Sequence, residues 1–220
     1  GGALIWVMAV AAGVVVWRTP APEADDVARP PQPAMASPQS PARSPSGPAQ
    51  SAAPGGETAA FIDSGRTAAV AFTTGNFEAA RVAYEQALAQ RPDDPETLNN
   101  LGQVLVRLGS VNDAVARFER AIELSPEKWA YRFNLARAAG QLGQWGRAAA
   151  EYRQAVRLFP TDYATQFNLA LALHKNGDEQ AAIPEFQQAI QLAPGEPSFH
   201  VALATSLEAV GRATDAVTEF

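Results

Sequence analysis

Cysteine is absent from this chain, and histidine occurs only as His174 and His200. Without cysteine there is no disulfide framework, no thiolate metal site and no cysteine nucleophile, and the absence is compatible with an oxidising compartment. The two histidines lack metal-ligand spacing, no His-Glu-x-x-His occurs, and no phosphate-binding glycine loop is present. Catalysis therefore finds no support, and neither a metal nor a cofactor is expected. A basic excess is lacking too. The formal net charge is -6, and residues 58–220 hold 14 Lys plus Arg against 19 Asp plus Glu, which argues against a nucleic-acid partner.

Charge is missing altogether from residues 1–17, GGALIWVMAVAAGVVVW. As a helix this run would span ~25 Å, just under a hydrocarbon core of about 30 Å. Because the chain opens on Gly1, the apolar segment is expected to extend upstream. Residues 1–18 are read as a single-pass transmembrane anchor, with Trp17 and Arg18 at its interfacial end. A signal-peptide core is the competing reading, but the small-x-small pair Ala9 and Ala11 falls inside the apolar run rather than after it.

Large apolar side chains are scarce in residues 19–56, where ten of 38 residues are proline. Such a segment cannot build a core and reads as a disordered Pro/Ala/Ser-rich linker, extended to at most ~100 Å. Only Arg18 and Arg29 follow the anchor closely, beside Glu23, Asp25 and Asp26. With no dense basic cluster on this side, the orientation expected is N-in, with the remainder outside the cytoplasm. The Ala, Pro and Arg richness has a bacterial character, which makes the expected place the periplasmic face of an inner membrane.

What the chain does have is a period. With units at 61–94, 95–128, 129–162, 163–196 and a partial 197–220, glycine recurs at Gly75, Gly109, Gly143, Gly177 and Gly211. Alanine follows at Ala80, Ala114, Ala148, Ala182 and Ala216, then an aromatic at Tyr84, Phe118, Tyr152, Phe186 and Phe220. A second alanine comes at Ala87, Ala121, Ala155 and Ala189, and a proline closes the unit at Pro92, Pro126, Pro160 and Pro194. Apolar residues three and four apart, such as Leu98, Leu101, Leu105 and Leu108, occupy one face of a helix, as do Ala114, Phe118, Ala121 and Ile122. Each unit is therefore two amphipathic helices, with glycine free to take the left-handed conformation between them and proline unable to continue the second. Pro184 falls early in the second helix of its unit, where a local kink is expected.

This order of small residue, alanine, aromatic, alanine and proline at a period of 34 resembles the tetratricopeptide repeat (TPR) family across roughly residues 58–220. The resemblance implies an all-α solenoid, a right-handed superhelix of helical hairpins over 57–220, preceded by the transmembrane helix and linker. The first unit departs from the pattern. Ser64, Gly65, Thr67 and Ala71 stand where later units place larger residues, as suits a looser end cap.

In TPR proteins the first helices of the units line a concave groove for ligands. Asn100, Asn134 and Asn168 recur at one place in three consecutive units, and neighbouring helices ~10 Å apart match about three residues of extended peptide. Such a row of amides can pair with a peptide main chain whatever its sequence. A similar asparagine ladder is used by the TPR groove of O-linked N-acetylglucosamine transferases. Around the row stand Asn99, Phe133 and Phe167, then Gln103 and Arg137, then Arg107, His174 and Lys175 near the helix ends. This mixed amide, aromatic and basic surface suits an extended peptide with some acidic character. For Phe133 and Phe167 the plainer reading is packing within the stack, for Arg107 and Lys175 a solvated helix end, and for the asparagines local bonding. The clamp of the chaperone-tail class is not reproduced, because Ala130, Ala164 and Phe133 occupy its places.

Together these features imply a non-catalytic, membrane-anchored adaptor that binds a protein or extended peptide in envelope assembly, secretion or protein maturation. The alternative is the N-terminal TPR arm of a larger enzyme such as a glycosyltransferase. Self-association through the incomplete fifth unit is a third possibility.

Overall fold

The computed structural model describes residues 55–218. The anchor expected at 1–18 and most of the linker lie outside the described residues. Among the described residues there are ten α-helices and no strand. They run α1 (Gly55–Thr73), α2 (Phe77–Gln90), α3 (Pro95–Arg107), α4 (Val111–Leu124), α5 (Trp129–Gln141), α6 (Trp145–Leu158), α7 (Tyr163–Lys175), α8 (Glu179–Leu192), α9 (Pro197–Ala209) and α10 (Ala213–Val217). The first helix begins before residue 56, where the linker was expected to end.

Sequence chemistry accounts for the helix boundaries. Asp94 and Asp162 cap α3 and α7, each accepting from the backbone N–H three residues on at 2.8 Å, which satisfies one of the orphan donors at the helix start. At the other end of α3, Gly109 sits at φ +82°. Its N–H donates to the Val106 carbonyl at 3.2 Å, and that of Ser110 donates to the Leu105 carbonyl at 2.9 Å. This is the Schellman closure, which needs a residue in the left-handed region and so favours glycine. The same pair of bonds closes every first helix of the stack, at Gly75, Gly143, Gly177 and Gly211 as well. Helix α8 runs without interruption through Pro184.

Packing follows the repeat. Ala80, Ala114, Ala148, Ala182 and Ala216 are fully enclosed, and so are Ala87, Ala121, Ala155 and Ala189. With only a methyl group at these points, the second helix of each pair comes close to its neighbours, and Tyr84, Phe118, Tyr152 and Phe186 fill the space beside them. The approach is tightest in the second unit. A Cβ built on Gly102 of α3 would stand 2.5 Å from the Phe118 ring, so glycine there is a packing requirement rather than a turn.

Each helix packs on the next in sequence, and the odd-numbered helices also approach one another, α3 against α5 and α7 against α9. No two even-numbered helices come as close among the described residues. The odd-numbered helices thus form the layer that comes closer together at α3–α5 and α7–α9, in keeping with the inner layer that the resemblance implies. Among the described residues no helix is long and apolar enough to cross a membrane.

Candidate functional site: the inner face of α1, α3 and α5

The inner helices carry all of the candidate residues, but the stack divides them into two sets. Asn99, Phe133, Phe167 and Asn168 are buried. Phe133 packs edge-on against Tyr152 with ring centroids 5.4 Å apart, and also meets Trp129. Phe167 stacks on Phe199 of α9 at 4.4 Å and tilts against Phe186. Phe133 thus packs within its own hairpin and Phe167 joins its hairpin to the next, and both present almost no surface to a ligand.

The asparagine row does not act as three equal members. Asn134 donates its Nδ2 to Asn99 Oδ1 across the α3–α5 boundary at 2.8 Å. Asn99 in turn donates to Asn100 Oδ1, and Gln103 Nε2 donates to the same oxygen, each at 3.3 Å. Asn168 instead donates to the Ala164 carbonyl of its own helix at 2.8 Å and is only 2% exposed. The cause lies one unit earlier. Asn134 faces Asn99, which offers an acceptor, whereas the residue equivalent to Asn99 in the next unit is Phe133, which offers none. The row therefore yields a four-amide network on α3 and α5, with Asn100, Gln103 and Asn134 half-buried and able to bond further.

At the far ends of these helices the candidates also diverge. His174 Nδ1 lies 2.9 Å from Glu179 Oε2 and 3.3 Å from Ser206 Oγ, tying α7 to α8 and α9. Lys175 is exposed in the last turn of α7. Arg107 and Arg137 instead converge on a hollow lined by Phe72, Gln103, Val106, Arg107, Phe118, Asn134 and Arg137. No carboxylate is among these lining residues. Tyr152, buried nearby, has its hydroxyl held well above its ordinary range by burial, with the positive charge of Arg137 pulling weakly the other way.

Two residues of this hollow, Phe72 and Val106, were not singled out from the sequence. A signal was present, because both stand at multiples of 34 from His174. The irregular first unit obscured it, for α1 was read as a loose cap and not as a wall. Phe72 is held by edge-on contact with Phe77 at 5.6 Å.

The tetratricopeptide repeat family is matched by residues 66–128, 99–162 and 133–197. The chain belongs to that family. Among solved structures, the fold is similar to a crystal structure of MamA protein, with TM-score 0.71, 22% identity, and coverage of 74% of this chain and 89% of that one. MamA 41-end from Desulfovibrio magneticus RS-1 matches with TM-score 0.70 and 21% identity, over 76% of this chain and 93% of that one. MamA of MSR-1 matches with TM-score 0.66 and 25% identity, over 73% and 92%. Likeness at this level establishes a shared helical scaffold. No curated protein matches the chain.

Proposed function

We propose that this chain is a non-catalytic adaptor that holds an extended segment of a protein partner against the inner face of α3 and α5. The observation that carries the reading is the cross-unit amide network Asn134–Asn99–Asn100–Gln103. Its internal bonds fix the orientation of the amides, so that bonding capacity remaining on Asn100, Gln103 and Asn134 is pre-organised for a peptide main chain. Membership of a repeat family that builds long binding surfaces supports the same reading.

The uncharged run at residues 1–17 and the proline-rich linker complete the proposal as a tether, which would present the solenoid on the periplasmic face of an inner membrane during envelope assembly, secretion or maturation of exported proteins. Photocrosslinking from position 100 in the native host tests the groove, with position 153 on the exposed outer side of α6 as the control. Capture of the same partner from both positions would sink the inner-face assignment. Fractionation after deletion of residues 1–17 tests the tether separately: the truncated chain should leave the membrane pellet, and its retention there would refute the anchor.

A further inference from the structure

The rim where the first helices begin and the second helices end carries surface that neither the groove nor the stack uses. Short turns make each hairpin antiparallel, so the starts of α1 and α5 and the ends of α2 and α6 lie on one side of the solenoid. Contacts at equivalent places of the first and third units close the hairpins there. The Arg91 guanidinium sits 4.3 Å from the centre of the Phe61 ring, and Trp129 stacks on Phe159 at 5.3 Å. The second contact leaves much of itself in water. Phe159 is 41% exposed and Leu158 42%, whereas Leu124 and Leu192, the equivalents of Leu158, are half-buried. Lys128 adjoins Trp129, and Arg157 stands in the last turn of α6. Both are exposed, and neither pairs with a carboxylate among the described residues. Glu127 is exposed as well, so the patch is only modestly positive and apolar contact is its larger resource.

We infer that this rim rests on a lipid surface, with Trp129, Leu158 and Phe159 at headgroup level and Lys128 and Arg157 directed to lipid phosphates. The inference rests on the tether reading above and adds how the solenoid lies once tethered. Helix α1 starts at Gly55 on the same rim, so the chain leading back to the uncharged run enters the solenoid on the side that bears the patch. Tryptophan favours the membrane interface, and long cationic side chains beside it reach the headgroups. Such a patch is small for capture from free solution. A tether makes the contact intramolecular, which lets a weak surface hold. On this rim the helices stand upright and the inner face opens sideways, clear of lipid.

The test places the full chain in vesicles of phosphatidylethanolamine and phosphatidylglycerol, about three to one, whose acyl chains are brominated near the headgroup. Three versions each keep one tryptophan, the others being changed to phenylalanine. Trp17 reports the tether and Trp129 the rim; Trp145, at the start of α6 on the opposite rim, is the control. Trp17 and Trp129 should each lose at least about half of their emission, because an interfacial ring lies within about 5–10 Å of the bromines, while Trp145 should lose little. Leu158→Glu, at an exposed position, should restore the Trp129 emission without changing helix content.

Quenching of Trp17 with Trp129 no more quenched than Trp145 would overturn the rim contact and leave the tether standing. Trp129 quenching that survives Leu158→Glu would overturn it too. Quenching of Trp129 that falls as the protein is packed more densely would assign the rim to a second copy of the chain instead. Absence of Trp17 quenching would refute the tether, and the rim contact with it.

Discussion

The inner hollow between α1, α3 and α5 and the outer hollow between α4, α5 and α6 each contain two arginines, yet only the outer one contains carboxylates. Helix α5 supplies one arginine to each, Arg137 inward and Arg132 outward, five residues apart and so on opposed faces of the helix. The outer pair Arg132–Glu151 joins α5 to α6, and Arg147–Glu119 joins α6 to α4. The first pair closes one hairpin and the second links it to the hairpin before, so both belong to the solenoid's own cohesion. The inner arginines stand beside polar groups that bond partly among themselves. The same residue type thus lines both hollows, with carboxylates of the chain among the lining residues only on the outer side.

Several changes would break or sharpen this contrast. The largest effect is expected from Phe118→Ala, since Phe118 is 1% exposed and underlies the inner hollow. It should lower unfolding stability by ~3–5 kcal/mol in chemical denaturation. A loss below about 1 kcal/mol would show that the floor of the inner hollow can collapse without cost.

Alkaline pH is the next lever. The Tyr152 hydroxyl is pushed up by burial, so its neutral form is favoured in the folded chain. The corresponding stability is complete below the unfolded value of about 10 and is lost as pH climbs from there towards the raised folded value. Thermal melts from pH 8 to 12 should show a falling midpoint above about pH 10, and Tyr152→Phe should reduce that fall. Tyr84 and Tyr131 are raised by burial as well, which makes the comparison between natural chain and variant the informative one.

Gly102→Val should destabilise by ~1–3 kcal/mol, because the added side chain meets the enclosed Phe118 ring. Combined with Phe118→Leu, it should be partly relieved, and a strictly additive double-mutant cycle would refute the contact as the cause. On the outer face, Arg132→Ala breaks a pair with about a fifth of each side chain exposed. It should lower stability by ~1 kcal/mol. The smallest stability effect belongs to Arg107→Ala, within about 1 kcal/mol, because only an exposed helix-end charge is lost. A stability loss larger than that of Arg132→Ala would erase the distinction between the two hollows.

Much of the scaffold was legible because each repeated residue answers a local demand. Glycine at Gly109 and its equivalents marks the left-handed closure of a helix, and the alanines at Ala114 and Ala121 mark close helix approach. The candidate face was legible only in outline. Counting by 34 treats Asn100, Asn134 and Asn168 as equals, but a side-chain amide bonds to whatever stands opposite, and that residue changes from Asn99 to Phe133 between units. The aromatics show the same limitation from the other side. Phe133 and Phe167 share a place with Asn99 and were grouped with the ligand-facing candidates, yet an aromatic ring beside an apolar neighbour gains more by burial than by facing solvent. Phe72 was passed over because its unit lacks the large residues that make the other units recognisable.

By itself the sequence determined the period, the paired helices, the turn between them and the alanine and aromatic contacts that stack one pair on the next. Those features repeat because backbone geometry and steric fit impose the same condition in every unit. Only the tertiary structure decided that Asn134 reaches Asn99 while Asn168 turns back to Ala164, and that α1 brings Phe72 to a hollow shared with Arg107 and Arg137. It also decided which arginines meet carboxylates. Hydrogen bonds and ion pairs form between residues that the stack brings within a few ångströms, and that proximity depends on both neighbours rather than on a residue's own place in the repeat.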